Sequence, residues 1–109
     1  MSIHMTNVAG HAPLVAPERG AEPRLGTNPI TFGWPRGLDG ERPIIVDMAT
    51  SELALGKVRE AMARGDEVPG GVVIDHEGLP TNDPASQFVE PKGALLPFAA
   101  HKGYAIALV

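Results

Sequence analysis

The chain lacks several kinds of residue, and each absence narrows its function. Its 109 residues contain no cysteine, which excludes disulfides and thiolate metal sites and suits a reducing cytoplasm. Lysine and arginine are nowhere clustered and the net charge is −4, so the basic footprint needed for nucleic-acid binding is missing. No apolar run approaches the roughly 20 residues of a membrane-spanning helix. We therefore expect a cytoplasmic protein that binds neither nucleic acid nor membranes.

Large side chains are also scarce, whereas glycine and proline are abundant. One tryptophan, one tyrosine and three phenylalanines leave few large groups to fill a core. The 13 glycines and 11 prolines are spread between apolar runs instead of being concentrated in one linker. Because a chain of this length forms one small domain at most, we predict a single loop-rich unit over residues 1–109 without an internal boundary.

Three apolar runs predict strands. Alternation over Ile30–Trp34 is typical of a short strand. Residues 44–46 form a continuous β-branched run, which predicts a buried strand with Asp47 at its end. Residues 72–74 predict another strand. Turns and loops are expected over residues 1–25, over 36–42 with Asp39, and over most of 79–97 apart from one helical turn at 85–88.

Two further stretches predict helices. Between residues 51 and 64 the apolar side chains recur at helical spacing. We expect Thr50 or Ser51 to cap the first turn of this helix and Gly65 to end it. An apolar helix is predicted to open at Gly103 and to run to the end of the chain.

Asp47 and Gly56 each have a structural and a functional interpretation. A carboxylate between a strand and a helix can accept hydrogen bonds from a ribose, or it can cap free amides at the helix start. Gly56 inside a helix costs about 1 kcal/mol relative to alanine. It therefore favours close approach, either of the helix to a sheet or of a ligand to the backbone.

Two other short stretches have the same ambiguity. Lys102, next to His101 at a predicted helix start, can pair with a phosphate or carboxylate or can simply be solvated. Thr27 and Asn28 precede a proline, so they act as turn formers or as ligands of a carboxylate.

Motifs for other chemistries are absent from the sequence. No histidine has a partner at metal-ligand spacing, so His4, His11 and His76 are interpreted as structural or solvent-exposed and no metal site is expected. A G-x-G-x-x-G loop is missing, which disfavours a Rossmann dinucleotide site. A P-loop and a nucleophile-elbow serine are missing as well.

Five motifs in a fixed order resemble one enzyme family. Over nearly the whole chain, their identity and spacing are similar to those of the second type of malate/L-lactate dehydrogenases, a family that includes ureidoglycolate and sulfolactate dehydrogenases and cyclic imine reductases. The motifs are residues 25–30 (LGTNPI), 46–51 (VDMATS), 56–58 (GKV), 78–84 (GLPTNDP) and 95–104 (LLPFAAHKGY).

This resemblance implies a fold, a cofactor and a substrate class. The implied fold is an α/β structure of the α+β type, a fragment of a non-Rossmann NAD(P)-binding domain with a largely antiparallel sheet flanked by helices. The implied cofactor is NAD or NADP, the substrate is a small 2-hydroxy or 2-oxo acid, and the full-length relative is a homodimer. By resemblance, Thr27, Leu55 and Gly56 bind the substrate. The matching cofactor-binding residues are Asp47, Met48, Ala49, His101 and Lys102.

The chain also departs from the family pattern. In the family a Ser-His pair handles the proton of the substrate hydroxyl, and no Ser-His pair occurs here; we assign no catalytic residue and expect little or no turnover from the isolated chain. Lys57 stands where some imine-reducing members carry an acidic residue, which disfavours that branch. The sequence thus predicts a segment of a dehydrogenase, or alternatively a non-catalytic remnant that binds only nucleotide or another subunit.

Overall fold

The computed structural model describes residues 1–37 and 40–109.

Three antiparallel strands form the first sheet. Strands β1 (Ser2–Met5), β2 (Ile30–Trp34) and β3 (Ile44–Met48) lie in the order β1-β2-β3. The prediction for β2 is confirmed, and β3 runs two residues beyond the predicted run. Strand β1 falls in a segment predicted to be a loop, because four residues are too few to establish a period. Asp39, in the predicted turn, lies outside the described residues.

One face of this sheet is wholly apolar, and we call it the apolar sheet face. Six of its eight side chains are at least 37% exposed, and Trp34 reaches 56%. The prediction that β3 is buried is therefore wrong: all five of its residues are exposed, because no other described element packs broadly against this sheet. The face comprises Ile3, Met5, Ile30, Phe32, Trp34, Ile44, Val46 and Met48.

A second small sheet and the first helix enclose the core. Strands β4 (Val73–Ile74), β5 (Pro80–Thr81) and β6 (Ala94–Leu95) are antiparallel, in the order β5-β4-β6. Strands β5 and β6 were both expected to be loop, since two residues give no pattern. A 3-10 helix over Pro84–Gln87 confirms the predicted helical turn, and the Asp83 carboxylate accepts a hydrogen bond from the amide of its first turn. The buried cluster consists of Val15, Val58, Val68, Val72, Val73 and Leu95.

Helix α1 (Leu55–Arg64) begins later than predicted. Its N-cap residue is Ala54, which makes no side-chain cap. The two hydroxyls expected to cap it bond elsewhere: Thr50 Oγ1 donates to the Thr27 carbonyl at 3.0 Å and Ser51 Oγ donates to the Leu53 carbonyl at 2.8 Å. The predicted end is confirmed, because Gly65 adopts a left-handed conformation with φ 74° and its amide closes the last turn.

Helix α2 (His101–Leu108) begins two residues earlier than predicted. The molecule measures 52 × 31 × 25 Å and its radius of gyration is 15.5 Å, against about 13 Å for a compact domain of this length. This larger radius agrees with the first sheet, against which no other described element packs broadly. Antiparallel sheets with two flanking helices confirm the predicted α+β fold class.

Candidate functional site

A buried threonine joins two of the sequence motifs. Thr50 is 1% exposed and belongs to residues 47–51, which we call the DMATS motif. Its amide and its hydroxyl both donate to the Thr27 carbonyl, at 2.9 and 3.0 Å. Its own carbonyl accepts a hydrogen bond at 3.0 Å from the amide of Phe98, just before the HKGY motif of residues 101–104. Three segments far apart in sequence therefore meet around one residue.

Gly103 lets helix α2 approach this junction closely. The residue is buried, and a Cβ placed on it would lie 2.6 Å from the Thr50 carbonyl oxygen and 2.5 Å from that of Phe98. Backbone atoms cannot turn aside as a flexible side chain can. Glycine is thus required here for packing.

Asn28 connects the motif around Thr27 to both neighbouring segments. Its Oδ1 accepts from the Val8 amide at 3.1 Å, and its Nδ2 donates to the Ala107 carbonyl of α2, also at 3.1 Å. Both ends of the side chain amide are therefore engaged within the protein. Of the two interpretations of Asn28 left open by the sequence, the structural one is supported.

Backbone strain is concentrated in the same motifs. Among the described residues, four that are not glycine have positive φ. Three of them lie in the motifs: Asn28 at 25°, Ala99 at 44° and Ala100 at 53°. Such conformations cost about 1–3 kcal/mol each and cluster at functional sites. The two alanines immediately precede the HKGY motif and set the direction in which α2 starts.

The predicted cofactor residues of the DMATS motif lie in the last two positions of β3 and directly after it. Asp47 is exposed, inside the strand and not at its end as predicted, and its Oδ1 accepts from Thr31 Oγ1 at 2.6 Å across the sheet. Because side chains alternate along a strand, Met48 points to the opposite face. Ala49 follows the strand and is half-buried. Asp47 is therefore a paired strand residue and not a helix cap.

The other two predicted cofactor residues, His101 and Lys102, open α2 with exposed side chains. The amides of Lys102, Gly103 and Tyr104 already donate to the carbonyls of residues 98–100. An anion at this helix start would consequently be held by the two side chains more than by free amides.

Two of the three predicted substrate residues share a cleft of about 390 Å³, which we call the Thr27 cleft. Thr27 and Leu55 line it, whereas Gly56, the next residue of α1, does not. No described atom comes within 4 Å of a Cβ placed on Gly56, so close packing of α1 on a sheet does not explain this glycine. The cleft is lined by Val8, His11, Ala12, Leu14, Thr27, Leu55 and Arg59.

Sequence reasoning missed two polar residues of this cleft. Arg59 was not singled out, and His11 was interpreted as structural or solvent-exposed; it is exposed, but it lines the cleft. The Arg59 guanidinium lies over the Phe88 ring, 5.7 Å from its centroid. A lone charge on a helix resembles any solvated residue, so no local signal identified it.

A second cleft, of about 370 Å³, lies between the first sheet and the end of α2. Asn28, Pro29 and Ile106 are among its lining residues. Neither Asp47 nor Lys102 lines this cleft or the Thr27 cleft.

Within residues 1–37 and 40–109, no helix is both long and apolar enough to cross a membrane. The same residues contain no group of three or more histidine, aspartate or glutamate side chains placed to hold a metal ion.

The sheets of this chain are antiparallel, and its motifs converge on a threonine instead of on a Gly-rich phosphate loop. These two features place the chain outside the doubly wound nucleotide-binding proteins. A profile of the malate/L-lactate dehydrogenase family matches residues 1–109, and the chain belongs to that family. The resemblance predicted from the motifs is thus confirmed.

Individual relatives are similar over nearly the whole chain. An L-lactate dehydrogenase from Cupriavidus necator is 45% identical over 107 residues, which cover 98% of this chain and 30% of the relative. An L-sulfolactate dehydrogenase from Methanothermobacter thermautotrophicus is 44% identical over 102 residues, 94% of this chain and 28% of the relative. The chain therefore spans less than a third of the length of these relatives.

A solved structure supports the same fold. The crystal structure of delta1-piperideine-2-carboxylate reductase from Pseudomonas syringae superimposes with a TM-score of 0.85 at 42% identity. The match covers 97% of this chain and 30% of the reductase chain.

Proposed function

We propose that this chain is the part of an NAD(P)-dependent 2-hydroxy-acid dehydrogenase that holds the nicotinamide cofactor and one side of the substrate. The main observation in support is the junction at Thr50, where the two motifs assigned to the cofactor are hydrogen-bonded to each other through Phe98. Residues 1–109 would then form part of a longer cofactor-binding domain. Membership of a dehydrogenase family supports the reaction type.

The side chains near the junction have the chemistry that a nicotinamide nucleotide requires. Asp47 is an exposed carboxylate that can accept hydrogen bonds from ribose hydroxyls. His101 and Lys102 are exposed donors at the start of α2, suited to the pyrophosphate. When bound, the cofactor would supply the hydride acceptor or donor.

The protein's own task is positioning. In this proposal Thr27 and Leu55 hold the 2-hydroxy acid in the Thr27 cleft, next to the segment that orients the cofactor. Holding two reactants close and aligned lowers the barrier substantially. The proton step typically contributes 10²–10⁴-fold, and without the family's Ser-His pair we infer little or no turnover by the isolated chain.

A nucleotide titration tests this proposal. The pure 109-residue chain is titrated with NADPH while the fluorescence of the reduced nicotinamide is followed. We expect a saturable enhancement of the fluorescence. Lys102→Ala should lower the affinity for NADPH about tenfold, because a charge-assisted contact is lost. Lys92→Ala is the matched control, since Lys92 is an exposed lysine paired with Glu90. Absence of enhancement in the wild-type chain would contradict cofactor binding; equal affinity of the two variants would contradict the role of Lys102.

A second candidate is a subunit-pairing role without catalysis. It is favoured by the apolar sheet face, where six of eight side chains are at least 37% exposed, because monomers seldom expose a contiguous apolar patch of this kind. The homodimer implied by the family belongs to this proposal. Analytical ultracentrifugation, together with the NADPH titration, distinguishes this role from cofactor binding. The pairing role predicts that the chain associates, that Val46→Lys reduces the association, and that NADPH gives no fluorescence response.

A further inference from the structure

Among the described residues, the side chains that line the Thr27 cleft include positive and donor groups but no acid. Its polar lining residues are His11, Thr27 and Arg59, and its other lining residues are apolar. At about 390 Å³ the cleft lies in the size range of small-molecule sites. A cleft with this lining favours an anionic ligand of small size.

Arg59 is available to such a ligand. Among the described residues, its guanidinium has no carboxylate within salt-bridge distance, whereas Arg64, the other arginine of α1, pairs with Glu60. The Phe88 ring beneath Arg59 packs against the buried cluster, so the guanidinium rests on a fixed support. A planar guanidinium held in this way can bind a carboxylate or sulfonate with two parallel hydrogen bonds.

We propose that Arg59, assisted by His11, binds a second anionic group of the substrate, so that the cleft selects doubly charged 2-hydroxy acids over lactate. This rests on the proposed function, in which Thr27 and Leu55 hold the 2-hydroxy acid in the Thr27 cleft. A malate carboxylate or a sulfonate on the adjacent carbon would extend toward Arg59, whereas the methyl group of lactate offers it nothing to bind. Arg59 is a specificity-determining residue in this account and takes no part in the hydride or proton step.

Calorimetric titration of the 109-residue chain with L-malate and with L-lactate tests the assignment. Solvent weakens exposed ion pairs, so the expected preference is modest: malate should bind about fivefold more tightly than lactate. Arg59→Gln should remove this preference, and Arg59→Lys should retain part of it by keeping the charge. Arg64→Gln makes the same charge change on the same helix outside the cleft, and should leave the preference intact.

The outcomes separate this inference from the cofactor proposal. A malate preference that survives Arg59→Gln, or no binding of either acid by the wild-type chain, would overturn the inference whatever NADPH does. A chain that binds NADPH without distinguishing the acids retains the proposed function and loses only the specificity. If circular dichroism shows that Arg59→Gln is unfolded, His11→Gln replaces it: a reduced preference is expected, and an unchanged one contradicts the role of this pair.

Discussion

Two glycines, each inside a helix, should respond in opposite ways to alanine. Replacing glycine by alanine in a helix interior normally stabilises by about 1 kcal/mol. At Gly56 no described atom lies within 4 Å of the added methyl, so up to that gain is expected from Gly56→Ala. At Gly103 the methyl would lie 2.5–2.8 Å from three backbone atoms of Thr50 and Phe98. Overpacking of this kind costs about 1–3 kcal/mol.

For Gly103→Ala three backbone contacts oppose the gain in helix propensity, and we expect a net loss of up to about 2 kcal/mol. The assay is urea unfolding followed by circular dichroism, with both variants compared with the wild-type chain at equal concentration. The midpoint should rise for Gly56→Ala and fall for Gly103→Ala, with unchanged slopes. Stabilisation by both substitutions would refute the close approach of α2 to Thr50.

Three single residues, Asn28, Ala100 and Trp34, can be tested in the same chain. Asn28→Ala should cost about 1–3 kcal/mol in urea unfolding, because the Val8 amide and the Ala107 carbonyl lose their partner; an unchanged midpoint would contradict the connection to α2. Ala100→Gly should raise the thermal midpoint, since φ 53° and ψ −112° suit glycine and relief of this strain is worth about 1 kcal/mol; a lowered midpoint would argue against the strained turn. Trp34, 56% exposed, should be readily quenched by acrylamide in dilute solution, whereas a protected tryptophan would show that the apolar sheet face is covered.

Local sequence patterns correctly predicted the elements that depend on residues close to one another in the chain. The alternation that marks β2 and the glycine that ends α1 act within a few residues, and both predictions are confirmed. Strands β1 and β6, with four and two residues, show no period and owe their existence to pairing with distant partners. The expected hydroxyl cap of α1 failed for a similar reason, since Thr50 bonds to Thr27, 23 residues away.

The candidate site was accessible to sequence reasoning only through family resemblance. No spacing rule links Thr27, Thr50 and Phe98, yet the structure joins them by hydrogen bonds. The roles of Asp47 and Lys102 in cofactor binding stay predictions. Arg59 and His11 were missed because a polar side chain becomes recognisable as a ligand only once the folded chain shows which cleft it lines.

In our proposal, the segments that meet at Thr50 bind a nicotinamide nucleotide. Backbone amide shifts of the isotope-labelled chain, recorded by NMR during addition of NADPH, test it most directly. If the nucleotide binds at this junction, the shifted amides will cluster at residues 47–50 and 98–103, and the second sheet will be unaffected. Shifts spread over β4 to β6, or none at saturating nucleotide, would contradict it.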